Sequence, residues 1–190
     1  ANRCCSPEAE ESARELCRRL GVPFHLFDFE AEFKRDVVDY FVSEYARGRT
    51  PNPCLACNRH IKFGLLLQKA MDLGAEYLAT GHYARIRRAN GQYLLLRGVD
   101  RGKDQSYVLY MLGQRELARV LFPLGERSKD WVQAVAEERD LPAAEREESQ
   151  EVCFTMGDYR RFLLARPEVT LEPGPIPVSY THLTLPTNRE

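Results

Sequence analysis

"LGAEYLATGHYARIRRANGQYLLLRG", Leu73 to Gly98, changes pattern midway. Its first half is an apolar run that stops at Thr80, Gly81 and His82, as a strand of an α/β sheet does just before the turn where such sheets gather ligands. A glycine at that point allows close approach of the backbone. Its second half sets Asn90-Gly91 between two strand-like runs, and that dipeptide is a strong signal for a type I′ hairpin. The stretch predicts a sheet strand followed by a hairpin. It also concentrates charge: between Gly81 and Lys103, six basic residues (Arg85, Arg87, Arg88, Arg97, Arg101 and Lys103) face only Asp100, a local balance of +5. Since the whole chain has a formal net charge of -1, any nucleic-acid partner must be met by such a patch.

Outward on the N-terminal side, "SPEAEESARELCRRLG" predicts a helix with Ser6 as N-cap, Pro7 at its first position and Gly21 as its stop. Ala9, Ala13, Leu16, Cys17 and Leu20 share one face, so Cys17 reads as core. "PFHLFDF" is apolar enough for a buried strand, and "EAEFKRDVVDYFVSEYARG" resumes helical spacing with Phe33, Val37, Phe41 and Tyr45. On the C-terminal side, "DQSYVLYML", "QRELARVLF", "SKDWVQAVAEERD" and "GDYRRFLLAR" read as short helices, while "SQEVCF" reads as a loop entering a short strand. Helices alternating with strands at this spacing predict an α/β fold, a mostly parallel sheet with flanking helices and an appended hairpin. The chain opens on a helix where a strand and a nucleotide-binding turn are expected, so the sheet is expected to lack its first strand. "VSYTHLTLPTNRE" changes character after "PGPI" and reads as a non-native tail over 178–190, with no role for His182. The expected organisation is a partial α/β domain over 1–166, the start of a linker over 167–177, and that tail.

With 190 residues, 44% hydrophobic and 29% charged, the composition is that of a soluble globular chain. No apolar run approaches the roughly 18 residues of a membrane span, and the start lacks a secretory profile. A cytoplasmic protein without a membrane partner is expected. The six cysteines, Cys4, Cys5, Cys17, Cys54, Cys57 and Cys153, fall too unevenly for a disulfide framework, which favours reduced thiols with chemical or metal-binding roles.

"TPNPCLACNRHIKF", Thr50 to Phe63, places Cys54 near a helix N-cap and Cys57 one turn later on the same face. The helix dipole, with Arg59 and Lys62 nearby, favours the thiolate of Cys57. The plainer reading makes both small buried hydrophobes. A closed zinc site would need two further ligands, and Cys4-Cys5, adjacent in sequence, complement the pair poorly. Cys153, between Val152 and Phe154, reads on its own as a core residue. His82 reads on its own as a satisfied structural histidine. Lys103, Asp104 and Gln105 offer one charge and two hydrogen-bonding groups suited to phosphates and base edges, or simply a solvated helix start.

Taken in order, "CCS", "GRTPNPCLACNRHIKFG", "LGAEYLATGHYARI", "KDQSYVLY", "FPLG" and "ESQEVCF" resemble the tRNA-specific 2-thiouridylases, collinearly from about Asn2 to Ile176. That resemblance implies a Rossmann-like, adenine nucleotide alpha hydrolase-like domain of the ATP-pyrophosphatase type. It implies ATP-dependent transfer of sulfur to C2 of the wobble uridine of tRNA through an adenylated uridine, with Mg2+ beside the ATP. By the same resemblance Cys57 is the nucleophile and Cys153 the persulfide carrier, leaving a Cys57 to Cys153 disulfide to be reduced. Gly81 is an ATP contact. Asn52, Pro53 and Cys54 touch the target base, and His82, Lys103, Asp104 and Gln105 touch tRNA. The implied partners are tRNA and a persulfide donor or relay protein. The family's Ser-Gly-Gly-x-Asp-Ser loop and its central and barrel domains have no counterpart here, so an internal fragment, truncated at both ends and inactive alone, is expected. Three alternatives stand beside this reading: an iron-sulfur cluster on Cys54, Cys57 and Cys153 serving the same thiolation, a cluster- or metal-holding RNA-binding module without catalysis, and an amide-forming ATP-pyrophosphatase.

Overall fold

The computed structural model describes residues 6–141, 152–155 and 157–169. Cys4 and Cys5, the acidic run before Val152, and the expected tail at 178–190 lie outside the described residues.

The first helix, α1 (Pro7–Leu20), forms for the reasons its sequence gives. Ser6 Oγ accepts the Ala9 N–H at 3.2 Å, and Glu8 and Glu10 occupy the first turn. Arg18 and Arg19 occupy the last turn, and Gly21 closes it at φ 65°, donating to the carbonyls of Arg18 and Cys17. Caps of this kind contribute about 1 kcal/mol. The expected burial does not follow. No residue of α1 is buried, Leu20 is 61% exposed and Cys17 only half-buried, because no described strand lies beneath its apolar face. Cys17 is therefore not core.

"PFHLFDF" is likewise corrected. Residues 24–29 pair with no described strand, and Leu26 is 65% exposed. The rings of His25, Phe27 and Phe29 still stack in succession at 6.2 and 6.1 Å, the two-residue period of a strand without its ladder. Lys69 Nζ lies 6.0 Å from the Phe27 ring centre, tying this segment to the helix that carries Lys69.

Two helical runs follow, 30–46 and 53–72. Each has a π-helical centre, Lys34–Asp39 in one and Cys57–Leu66 in the other, and these centres pack together. The second run begins where Asn52 Oδ1 accepts the Cys54 N–H at 3.0 Å with Pro53 at the first position. Gly74 ends it at φ 87°.

Strand β1 (Leu78–Ala79) runs parallel to β4 (Val120–Leu121), with Leu78 opposite Val120 and Ala79 opposite Leu121. Between them β2 (Ala84–Ala89) and β3 (Gln92–Arg97) form the antiparallel hairpin, with Asn90 at φ 50° and Gly91 at φ 76° as a type I′ turn requires. Three expected elements differ. "DQSYVLYML" shrinks to a single 3-10 turn, Ser106–Val108. "QRELARVLF" is helical only over Gln114–Leu117 before the chain extends into β4. Val152–Thr155 is a turn closed by the Thr155 N–H on the Val152 carbonyl, not a strand entry.

One core lies where Phe63 and Leu67 of the 53–72 helix meet Ala84, Leu109, Val120 and Phe122. A second, aromatic cluster joins Phe41 and Val42 to Leu163, with Phe154 packed edge-on to Phe41 at 5.3 Å. Each large side chain buried in this way contributes about 1.5–3 kcal/mol.

Candidate active site

The turn after β1 and the 53–72 helix enclose a cleft of about 430 Å3, lined by Lys62, Leu66, residues 78–82 and Gln105. Gly81 is exposed at its edge. A methyl group placed there would meet only Leu124 Cδ1, at 3.7 Å, so the fold itself tolerates a side chain at this position. Nucleotide-sized ligands occupy clefts of this volume.

His82 closes the back of the cleft. It is 8% exposed, and its ring packs 5.8 Å from Phe63 and 5.9 Å from Phe122. Its Nδ1 and Thr80 Oγ1 share a hydrogen bond of 2.8 Å. Burial first, and the charge of Lys62 second, push its pKa down to about 4, so the imidazole is neutral at physiological pH. The structural reading of His82 fits this geometry better than a side chain laid on RNA.

The run from Lys103 to Gln105 turns partly inward. Asp104 Oδ1 accepts the Gly98 N–H at 2.9 Å, and its Oδ2 accepts the Ser106 hydroxyl at 2.9 Å with Arg97 3.8 Å away. Burial pushes the Asp104 carboxyl up, but these donors together hold it below the usual carboxylate range. Gln105 clamps Tyr83, accepting its N–H on Oε1 at 3.1 Å and donating its own backbone N–H to the Tyr83 carbonyl at 2.9 Å. The Lys103 N–H is held by Asp100. On the hairpin, Arg85 binds the Arg97 carbonyl at 2.8 Å and Glu126 at 3.4 Å, Arg88 lies over Tyr93, and Arg87 is exposed.

At the helix start, Asn52 and Cys54 are exposed, Pro53 is buried and Cys57 is half-buried. The N-cap is Asn52, two residues before Cys54. Asn58, beside Cys57, is 1% exposed. Its Nδ2 donates to the Val108 carbonyl at 2.9 Å, and its Oδ1 has no hydrogen-bond partner. Cys153 is half-buried in its turn, next to Phe154, which packs on Phe33 and Phe41 of the 30–46 helix. The same helix packs through its π-helical centre against Pro53–Ala56. Cys57 and Cys153 thus stand on elements that share the 30–46 helix as a neighbour. Among the described residues no three His, Cys, Asp or Glu side chains gather as a metal set.

The place of Asn58 in the site, and that of Lys62 on the wall of the cleft, were not legible in the sequence. Asn58 offers no sequence signal beyond its position after a cysteine. Lys62 does not share the Cys57 stripe in an α-helix, where Ile61 would lie above Cys57. Hydrogen bonding from i to i+5 through Cys57–Leu66 brings residue 62 round instead.

A family model described as "tRNA methyl transferase HUP domain" matches residues 1–157. The tRNA-specific 2-thiouridylase MnmA of Roseiflexus sp. (strain RS-1) is 53% identical over 192 residues, covering 91% of this chain and 52% of that protein. The proteins of the same name from Chloroflexus aggregans (strain MD-66 / DSM 9485) and Carboxydothermus hydrogenoformans (strain ATCC BAA-161 / DSM 6008 / Z-2901) are 54% and 52% identical. They are covered over 49% and 48% of their length, against 91% and 90% of this chain. The chain spans about half the length of these relatives. A parallel strand pair flanked by helices, a cleft at the strand's C-terminal turn and this match together place the chain in the tRNA methyl transferase HUP domain family, a Rossmann-like α/β family, in company with the tRNA-specific 2-thiouridylases.

Proposed function

We propose that this domain takes part in ATP-dependent thiolation of tRNA, replacing O2 of the wobble uridine with sulfur in the cytoplasm. The observation that carries the reading is the meeting of Gly81, at the end of β1, with the helix that bears Cys57 across one cleft. ATP and tRNA are the substrates, with Mg2+ accompanying the nucleotide. A uridine carbonyl is a poor electrophile, so O2 first attacks the α-phosphate of ATP and pyrophosphate departs. Cys153 carries a persulfide received from a donor or relay protein. The Cys57 thiolate attacks the Cys153 sulfur that bears the terminal one, which forms the Cys57–Cys153 disulfide and releases hydrosulfide. Hydrosulfide attacks C2 of the adenylated uridine, and AMP leaves. A dithiol reductant then supplies two electrons to restore both thiols.

Asn52, Pro53 and Cys54 form the helix start that meets the target base, Asn52 and Cys54 with exposed side chains and Pro53 buried between them in sequence. Arg87, Arg88 and Lys103 meet tRNA phosphates, and Gln105 meets tRNA from the edge of the cleft that it lines. Asp104 and His82 support these contacts from within, by holding the loop and the turn in shape. The persulfide route is favoured over a cluster because Cys57 and Cys153 suffice for it without a third thiol.

In the full-length enzyme supplied with a persulfide donor, Cys57→Ser and Cys153→Ser each abolish thiolation of tRNA, while Cys54→Asp retains much of it without iron. Activity that follows iron content and disappears in Cys54→Ser despite a persulfide supply overturns this route.

A further inference from the structure

Lys62 has features that the thiolation chemistry alone does not use. It is half-buried, it lines the cleft opposite Gly81, and among the described residues it forms no ion pair or hydrogen bond. With part of its side chain open to solvent and no acidic partner among the described residues, Lys62 can meet an anion that enters the cleft. The neighbouring groups suit an anion of modest size. His82 is neutral, the Gln105 side chain borders the same cleft, and Gly81 leaves its backbone open to close contact. No aspartate or glutamate lines this cleft among the described residues.

The backbone explains why a lysine arrives here. Within Cys57–Leu66 the turns are wide, and the Leu67 N–H reaches the Lys62 carbonyl five residues back. A methyl group on Gly64 would stand 2.9 Å from the Arg59 carbonyl oxygen, also five residues back, so the wide turn and its glycine belong together. This winding sets Lys62 about one turn along the helix from Cys57 and on the wall of the cleft.

We propose that Lys62 is the phosphate-binding cation of the cleft, holding the phosphate of an adenine mononucleotide that lies against Gly81. The assignment rests on the nucleotide reading of Gly81 given above. A mononucleotide suits the cleft better than an RNA backbone phosphate, because the cleft lies at the turn after a parallel strand, beside Gly81, and its volume of about 430 Å3 is that of a small-ligand site. In this position the ammonium would also neutralise charge on AMP as it departs.

The test uses AMP and adenosine, titrated calorimetrically against the full-length protein and its Lys62→Met and Lys62→Arg variants. Lys62→Met is expected to weaken AMP about tenfold or more, the loss of one charged contact, with adenosine affinity unchanged within about twofold. Lys62→Arg is expected to retain AMP binding within about threefold. Unchanged AMP affinity in Lys62→Met, or equal losses for AMP and adenosine, overturns the assignment. So does a variant that keeps AMP affinity but has a shallower salt dependence of tRNA binding, which would give the cation to RNA. Wild-type protein that binds neither AMP nor ATP overturns this proposal together with the nucleotide reading of Gly81, whereas wild-type binding with an unaffected Lys62→Met variant overturns the Lys62 assignment alone.

Discussion

The two ends of the turn between β1 and β2 use glycine for opposite reasons. At the hairpin base, a methyl group on Gly125 would collide with the Ala84 carbonyl, and one on Gly98 would stand 2.8 Å from the Tyr83 carbonyl oxygen. Backbone meets backbone there, and only a missing side chain allows it. At the cleft edge, Gly81 has an ordinary contact at 3.7 Å and no positive φ. The first two glycines are demanded by packing; the third is permitted by it. What a fold needs and what a ligand needs are thus separable within a few residues, and substitutions can measure each.

The largest effect is expected from Gly125→Ala, which forces two backbone segments apart. It should cost at least about 3 kcal/mol in chemical denaturation; a loss under about 1 kcal/mol would show that the hairpin base yields and that the contrast with Gly81 is only of degree. Next comes His82, between the two ends. Its folded pKa is about 4 against an ordinary 6.5, so between those values the unfolded chain binds more protons than the folded one. Stability is therefore full above pH 6.5 and falls as pH drops towards 4, by as much as about 3 kcal/mol. In His82→Phe this part of the pH dependence should vanish; an unchanged slope would place the titration elsewhere. Gly91→Ala separates conformation from space, since Gly91 has φ 76° and no atom within 4 Å of an added methyl. A loss of about 1 kcal/mol is expected from the left-handed backbone alone, and a thermal melt unchanged from wild type would mean the turn can change type. The smallest effect on stability belongs to Gly81→Ala, within about 0.5 kcal/mol, although nucleotide binding by the full-length protein should fall. A variant that loses stability along with binding would remove the distinction between the two ends.

The sequence announces what depends on neighbours along the chain and hides what depends on neighbours in space. Ser6, Pro7 and Gly21 act on their own helix, and Asn90-Gly91 on its own hairpin, so those elements stand where expected. Residues 24–29 are apolar enough for a buried strand, but a ladder belongs to two segments and none of the described residues supplies the second. "QRELARVLF" has helical residues throughout, yet Val120 is drawn into a pair with Leu78, a choice made by the fold. The π-helical winding at Cys57–Leu66 has no propensity signature, so Lys62 could be read as near Cys57 but not as a wall of the cleft. Asp104 and Gln105 show the same limit. Their polar character was plain, but the hydrogen bonds to Gly98, Ser106 and Tyr83 arise from a loop closure that composition does not reveal.

Asn58 fastens the residue after Cys57 to the carbonyl of Val108, three residues beyond Gln105. The bond is buried, so no solvent molecule can take over when it breaks, and the helix start and the 106–109 turn must open as one unit. Their amide protons would then exchange with solvent at a common rate, set by one shared opening event and not by separate local fraying. Phe63 and Leu67 of the same helix pack in one core with Val108 and Leu109, so the carboxamide and this packing together make the two segments one mechanical body.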